Sequence, residues 1–276
     1  MLPEVATNNW APMTVKESED GHATRVSIGR HLGDLARQAL DLVIPPACLA
    51  CREPLSTRDT VCPACWREIH FIRPPLCDRL GLPMPFDPGG TVVSASELAD
   101  PPDYDRARAV ALFSAVMRDL VHQFKYADAR HARVRFGRWL VVAGADLIAD
   151  CDLIMPVPMH PRRLLSRRFN QGAILAREVA RLEGKAFAPD LLRRTKATRS
   201  QIGLTNAERR TNVTGAFRLA RGAEKRISGR RVLLVDDVIT TGATINACAR
   251  ALKRAGATGV DAVALAIRPP GSTLVL

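Results

Sequence analysis

Two adjacent carboxylates followed by a hydroxyl-rich turn carry the clearest chemistry in the sequence. Asp236 and Asp237 come directly after the apolar run 232–235, which predicts a buried strand, and a helical pattern begins at about Gly242. Ligands of open α/β folds bind where strands end, and the N–H groups at a helix start favour phosphate. Carboxylates beside a phosphate can hold a sugar diol, or Mg²⁺ through its water ligands. The predicted sugar-phosphate and Mg²⁺ site consists of Asp236, Asp237, Thr240, Thr241, Gly242, Ala243 and Thr244.

The same residues allow a simpler interpretation, in which the aspartates begin a turn and Thr241 caps the next helix. That interpretation suffices for the aspartate pair alone, but the whole string 232–244 is more specific. The turn lacks the Gly-Lys-Thr/Ser ending of a Walker A loop and the Gly-x-Gly-x-x-Gly of a dinucleotide site. We therefore expect the ligand to be a sugar phosphate.

Arginines cluster after a second apolar strand that begins near residue 152. Arg162, Arg163 and Arg168 follow this strand closely. Clustered arginines supply bidentate donors for a pyrophosphate, so this segment is a candidate pyrophosphate site. The alternative is a solvated basic face of a helix.

A further basic and polar stretch runs from about residue 193 to 210. Mobile loops of this composition attract anions and commonly close active sites. We interpret the stretch as a flexible flap, whose candidate residues are Arg194, Lys196 and Gln201.

Seven cysteines are unevenly distributed, and five of them fall between residues 48 and 77. Close pairs in a chain of this length favour a metal over disulfides, and four thiolates can surround Zn²⁺ tetrahedrally. Four protein ligands leave no open position, which indicates structural zinc; Cys77 or His70 is the alternative for one ligand. Cys151 and Cys248 are interpreted as small buried apolar residues. The predicted zinc ligands are Cys48, Cys51, Cys62 and Cys65.

Alternating strand-like and helix-like segments from about Tyr104 predict an α/β fold, with a parallel sheet flanked by helices. The polar, aperiodic N-terminus predicts a disordered tail at 1–27. A helical pattern at 32–43, the cysteine-rich segment and a Pro/Gly-rich linker predict a small zinc-binding module at 28–90. The α/β domain then takes residues 91–276.

Composition and charge narrow the class of protein. The chain has 276 residues, of which 47% are hydrophobic and 25% charged, values that exclude a disordered, collagen-like or coiled-coil protein. The net charge of +12 suggests anionic partners such as phosphates, nucleic acid or an anionic membrane surface. No apolar run reaches the ~18 residues that span a bilayer, and a signal-peptide pattern is absent, so we expect a cytoplasmic protein.

The string 232–244 resembles the phosphoribosyl-pyrophosphate (PRPP) signature of type I phosphoribosyltransferases. The order of cysteine pairs, segment 156–171, basic stretch and PRPP string is similar to that of the ComF family, over about residues 42–267. This family includes competence-associated proteins of bacterial DNA uptake and a relative linked to gluconate utilisation. Its members join an N-terminal zinc module to a phosphoribosyltransferase-like domain. A further cysteine pair is common in the family, but this chain has only Cys77 there, which argues against a second zinc.

The resemblance implies transfer of ribosyl 5-phosphate from PRPP to an acceptor, with release of pyrophosphate. The sugar becomes oxocarbenium-like, so no residue is assigned as nucleophile or base, and catalysis would come from positioning and charge neutralisation. The aspartates would hold the ribose hydroxyls and Mg²⁺ waters, and Thr240–Thr244 the 5-phosphate. His160 is expected to be structural rather than a general base. Pyrophosphate would be held, together with Mg²⁺, by Pro158, Met159, His160, Arg162, Arg163 and Arg168.

An alternative function needs no catalysis, because the sequence shows no recognisable acceptor site. The protein could be an accessory of competence or DNA uptake that binds single-stranded DNA or partner proteins, for example through the zinc module, and only retains the PRPP site. Single-strand binders usually interleave aromatic residues with basic ones, whereas the stretch 193–231 contains only Phe217. Charge alone does not separate the two functions.

Overall fold

Helices and strands alternate along the chain and build a sheet of parallel strands. The computed structural model describes residues 45–87, 89, 98, 100–126, 132–167, 169–197 and 206–269. The predicted tail at 1–27, the predicted helix at 32–43, Arg168 and Gln201 lie outside the described residues. The described strands are β1 (Arg106–Leu112), β2 (Leu153–Pro156), β3 (Ala186–Phe187), β4 (Leu192–Arg194), β5 (Phe217–Leu219), β6 (Arg231–Ile239) and β7 (Gly259–Ile267). The described helices are α1 (Pro63–Arg67), α2 (Ala115–Tyr126), α3 (Arg133–Ala143), α4 (Ala145–Asp150), α5 (Pro161–Arg167), α6 (Gln171–Glu183), α7 (Asn206–Val213), α8 (Glu224–Ile227) and α9 (Ala243–Arg254).

Five strands form one sheet in the order β1-β7-β6-β2-β3, and every neighbouring pair is parallel. All nine residues of β7 are buried, as expected for a strand that is covered on both faces. Strands β4 and β5 form a separate antiparallel pair. The predicted α/β fold with a parallel sheet flanked by helices is therefore confirmed. Within the described ranges, none of the helices has both the length and the apolar character that crossing a bilayer requires.

The sheet separates two apolar cores. Along β6, Leu233 and Val235 belong to one core, whereas Val232 and Leu234 belong to the other. The first core is completed by α2, α3, α4, α6 and the cysteine-rich segment, and the second by α8, α9 and the β4–β5 pair. Cys151 and Cys248 are buried in opposite cores, which confirms their interpretation as small buried residues.

The cysteine-rich segment pairs with the edge of the sheet. Ile72 N–H donates to the Val110 carbonyl (3.0 Å), and Leu112 N–H donates to the His70 carbonyl (2.9 Å). An uncovered edge strand would expose a row of unpaired backbone groups, which this pairing satisfies in part. The segment and the sheet belong to one compact unit, 46–276.

Five aromatic rings join the same segment to two helices. Trp66 and Phe71 pack on Trp139, which packs on Phe136, and Phe136 meets Phe124 edge to face; neighbouring centroids lie 4.8–5.8 Å apart. Tilted and edge-to-face pairs of this kind add to the free energy gained by burial. The aromatic cluster therefore attaches helix α1 to α2 and α3.

A buried carboxylate ties three strands together at the amino edge of the sheet. Asp261, on β7, is fully buried and faces two arginines from its neighbours. Arg231 on β6 binds it in bidentate fashion (2.7 and 3.0 Å), and Arg106 on β1 donates at 3.0 Å. Both arginines are about one quarter exposed, so their charges stay partly hydrated.

We expect Asp261→Asn to lower the free energy of unfolding by about 3 kcal/mol, because the change leaves two arginines without their buried counter-charge. Urea unfolding followed by circular dichroism measures this difference. The matched control is Asp150→Asn, since Asp150 also pairs with Arg106 (2.7 Å) but is 54% exposed. The control should change stability by at most about 0.5 kcal/mol. Equal effects of the two substitutions would contradict a structural role for burial at Asp261.

Candidate functional site

Two strands that start their helical connections on opposite faces form the crevice of the sheet. Strand β2 leads through α5 and α6 to β3, with α6 on the first face; β6 leads through α9 to β7, with α9 on the second face. Strands β2 and β6 are neighbours, with Pro156 opposite Val235. In open α/β sheets, ligands bind at the carboxyl edge of such a topological switch point. Both predicted binding segments begin there.

The loop after β2 is held against β6 by backbone and side-chain contacts. Val157 N–H donates to the Val235 carbonyl (3.0 Å), so the loop 157–160 begins beside Asp236. Asn170 Nδ2 donates to the Val157 carbonyl (3.1 Å), and its Oδ1 accepts from Ala173 N–H (3.4 Å) at the start of α6. Asn170 thus fixes both the loop and the helix.

Gly172 lets α6 approach the central strand. A Cβ atom at this position would lie 3.0 Å from the Val235 carbonyl oxygen. Neither Asn170 nor Gly172 was predicted from the sequence to be a positioning residue. The signal that could have identified them is an asparagine at the N-cap of a helical pattern, followed two positions later by a glycine.

The two aspartates lie at the carboxyl end of β6 and differ in their contacts. Asp236 Oδ1 accepts from the Asp237 N–H (2.9 Å), and both side chains are partly exposed. Burial and the charge of Asp237 raise the pKa of Asp236 well above its usual range. Asp237 Oδ2 lies 2.7 Å from Lys125 Nζ on α2, a residue that sequence analysis did not identify.

The turn after the aspartates enters α9 through a left-handed glycine. Gly242 has φ = 71° and is the N-cap of α9. A glycine cap offers no side-chain oxygen to the first N–H groups of the helix, so an anion can take that place. The alternative cap, the Thr241 hydroxyl, makes only a long contact, because its Oγ1 lies 3.5 Å from the Ala243 nitrogen. Tyr104 is buried against the turn: a Cβ atom at Gly242 would lie 3.5 Å from its ring.

The predicted pyrophosphate-binding residues that the structure describes differ in their exposure. Pro158 is buried, while His160 and Arg163 are half-buried and Arg162 is exposed on α5. His160 Nδ1 accepts from the Arg162 N–H (3.2 Å), so this imidazole helps to start the helix. Met159, between Pro158 and His160 in the sequence, is half-buried.

Arg194 differs from its predicted place in a flexible flap. It ends strand β4, is only 9% exposed, and lies over the ring of Phe217 on β5, 5.3 Å from the centroid. Strand pairing buries this arginine, which composition alone would place on a loop. Burial and the charge of Arg163 lower the pKa of Arg194, and Asp236 opposes this effect. The charge of Asp236 thus reaches Arg194. Lys196, by contrast, is exposed.

Among the described residues, four cysteines form one cluster that fits a metal ion. Their sulfur atoms all lie within 4.8 Å of one another. Cys48 Sγ accepts from the N–H groups of Ala50 (3.4 Å) and Cys62 (3.3 Å). Burial raises the pKa of Cys48, but backbone donors outweigh it and lower the value to about 7. Four thiols with this spacing match tetrahedral zinc. The predicted ligands Cys48, Cys51, Cys62 and Cys65 are thus the cluster.

The first cysteine turn has a distinctive backbone. Cys48 N–H donates to the Glu53 carbonyl (2.8 Å), and Arg52 N–H donates to the Cys48 carbonyl (3.1 Å). Arg52 adopts a left-handed conformation, with φ = 68°. The second ligand of this turn, Cys51, stands three residues after the first.

Cys77 begins a turn of the same construction that lacks the second ligand. Cys77 N–H donates to the Leu82 carbonyl (2.8 Å), Gly81 N–H donates to the Cys77 carbonyl (2.8 Å), and Gly81 has φ = 64°. Leu80 occupies the position that corresponds to Cys51. Cys77 is buried outside the four-thiol cluster, so the turn keeps the backbone of a zinc-binding turn without a ligand pair.

Two known families match separate parts of the chain. Residues 39–96 match the family described as a double zinc ribbon domain, and residues 171–274 match the phosphoribosyl transferase domain. The first match includes the complete cysteine cluster and the incomplete turn at Cys77. The second includes both aspartates and the turn at Gly242.

Two relatives are similar to this chain over most of its length, and a solved structure is similar over about half of it. The DNA utilization protein YhgH of Salmonella typhi is 32% identical over 228 residues, which cover 80% of this chain and 96% of that protein. Competence protein F of Haemophilus influenzae is 28% identical over 225 residues, with coverage of 79% and 96%. The solved adenine phosphoribosyltransferase from Thermoanaerobacter pseudethanolicus is 18% identical, with a TM-score of 0.32 and coverage of 55% and 87%.

We expect Cys48→Ser to reduce bound zinc from about one ion per chain to nearly none, because the cluster loses one of its two buried ligands. Elemental analysis of the purified protein measures the zinc content. Tryptophan emission should shift to the red at the same time, since Trp66 and Trp139 pack beside this segment. Cys77→Ala is the control and should retain its zinc. Loss of zinc in the control would contradict the assignment of four ligands.

Proposed function

This chain belongs to the ComF family, and we propose that it binds PRPP with Mg²⁺ at the switch point and transfers the ribosyl 5-phosphate to an acceptor, with release of pyrophosphate. The observation that carries the proposal is the meeting of two parts at one sheet edge. Asp236 and Asp237 lead into a glycine-capped helix start, and the loop 157–160 begins directly beside them. A ligand with a diol between two phosphate groups matches this arrangement.

Different residues would bind the ribose, the 5-phosphate and the pyrophosphate of PRPP. The aspartates would accept hydrogen bonds from the ribose hydroxyls, and the turn 240–244 would donate N–H and hydroxyl groups to the 5-phosphate. The loop 157–160 with Arg162 and Arg163 would hold the pyrophosphate. Arg168, outside the described residues, remains a predicted member of this group.

The donor set fits Mg²⁺. Carboxylate oxygens are the ligands that this ion prefers, and Asp237 Oδ2 already has a cation at 2.7 Å in the form of Lys125 Nζ. A bound Mg²⁺ would neutralise charge on the leaving pyrophosphate. The aspartates' part is to orient the sugar, while the arginines stabilise the negative charge that develops on the leaving group.

No protein nucleophile is required by this mechanism, because the departing pyrophosphate leaves an oxocarbenium-like sugar. His160 supports this view, since its Nδ1 accepts from the backbone N–H of Arg162. The rate would depend on orientation and electrostatics at the site. Arg194, which is buried on β4, would add positive charge whose effect reaches Asp236.

We expect calorimetry to show saturable PRPP binding that requires Mg²⁺. The double substitution Asp236→Asn/Asp237→Asn should weaken it by at least about a hundredfold, because two charge-assisted interactions are lost. The matched control Asp146→Asn/Asp150→Asn removes the same charge from exposed residues that pair with Arg108 and Arg106, and it should bind normally.

The result that overturns the proposal is the absence of binding at millimolar PRPP in a folded, zinc-loaded sample. If PRPP binds, pyrophosphate release in the presence of candidate acceptors tests the transfer step. Acceptor-dependent release that the aspartate variant loses supports catalysis.

A second function is favoured by the charge and by the names of the relatives. The net charge is +12, and similar proteins are named for DNA utilization and competence. A non-catalytic accessory that binds single-stranded DNA would use the basic residues near the switch point. Its affinity for an oligonucleotide should fall steeply with salt, because phosphate contacts release counterions. DNA binding that persists in the aspartate variant, without PRPP binding by the wild type, would favour this function.

A further inference from the structure

Lys125 brings a cation to the aspartate site from an element outside the segments identified by sequence. It lies on the last turn of α2, and its Nζ is 2.7 Å from Asp237 Oδ2, with the two side chains only 22% and 16% exposed. The adjacent Phe124 is fully buried against Phe136 of α3. This packing anchors the turn that carries the lysine. The fold itself therefore places the ammonium group at the carboxylates.

The ammonium offsets the repulsion between two neighbouring carboxylates. The charge of Asp237 raises the electrostatic cost of a charge on Asp236, and Lys125 opposes that effect. Arg194 is a second cation whose charge reaches Asp236, but the direct ion pair belongs to Lys125 and Asp237. The site thus contains its own counter-ion before any ligand arrives.

We propose that Lys125 competes with free divalent cations for Asp237, and releases this carboxylate when the cation arrives together with an anionic sugar diphosphate. This inference rests on the proposed function. An ammonium and a divalent cation at one carboxylate oxygen repel each other. A sugar diphosphate offers phosphate oxygens to the three N–H donors of the lysine, so the lysine exchanges one anionic partner for another. A free cation offers no such exchange, and it must displace the lysine without compensation.

The test measures Mn²⁺ binding to the full-length, zinc-loaded protein without PRPP, from the electron paramagnetic resonance signal of the free ion. We expect Lys125→Gln to bind Mn²⁺ about fivefold more tightly than the wild type, because one competing ion pair is gone. Lys125→Arg keeps the charge and should stay within about twofold of the wild type. Unchanged or weaker Mn²⁺ binding by Lys125→Gln overturns the proposal.

A matched control separates local competition from net charge. Lys253 lies on the last turn of α9, near the amino edge of the sheet, and its Nζ pairs with Asp105 Oδ1 (2.6 Å). Lys253→Gln removes the same charge, and it should leave Mn²⁺ binding unchanged. An equal gain in this variant, or a gain that persists when Asp237→Asn is added to Lys125→Gln, overturns the proposal.

The exchange of partners has its own readout, the factor by which PRPP tightens Mn²⁺ binding. We expect this factor to be about fivefold smaller in Lys125→Gln, because the competing cation that PRPP would remove is already absent. An equal factor in the two proteins overturns the exchange. If wild-type protein binds no PRPP, the proposed function fails, but the titration with Mn²⁺ alone still shows whether Lys125 competes for Asp237.

Discussion

The central strand β6 must be covered by apolar residues on both faces and yet end in two charged side chains. Four consecutive buried residues, 232–235, alternate between the two cores, and Asp236 follows without a spacer. The transition is abrupt because α6 and α9 cover opposite faces and both begin at the carboxyl edge. Their divergence leaves a crevice where the strand ends. The aspartates, the glycine-capped turn and the loop after β2 all meet in this crevice, where the Lys125 ammonium pairs with the partly buried Asp237.

The cysteine-rich segment supports this crevice without taking part in it. Its backbone completes the edge of β1, its aromatic residues pack on α2 and α3, and Arg52 donates to Gln123 on α2. Helix α2 in turn carries Lys125 to Asp237. A metal-organised turn can thus stabilise a helix that reaches the site, while the second turn, at Cys77, keeps its shape through backbone hydrogen bonds and packing. Gly81 is part of that packing, since a Cβ atom there would lie 2.2 Å from the Ala107 carbonyl oxygen.

Local signals account for the predictions that were confirmed. The two Cys-x-x-Cys pairs predicted a cluster because ligand spacing within a turn sets sulfur positions directly, and the alternation of elements predicted the parallel sheet. Arg194 shows where such signals fail. Its neighbours are basic and polar, as in a loop, but pairing with β5 places Phe217 beneath its guanidinium and buries it. Cross-strand pairing depends on residues more than twenty positions away, which composition does not reveal.

The sequence by itself determined the chemistry of this protein: a strand that ends in adjacent carboxylates, a glycine turn into a helix, and four thiols at metal-binding spacing. The strand end and the turn depend on residues within a few positions of one another, so secondary-structure periodicity is enough to place them, and each thiol pair depends on its own Cys-x-x-Cys spacing. Only the tertiary structure decided which distant groups meet them. Lys125 precedes Asp237 by more than one hundred residues, and nothing in its local sequence distinguishes it from other surface lysines. Their ion pair exists because α2 packs on the first face of the sheet, with its last turn at the carboxyl edge where β6 ends.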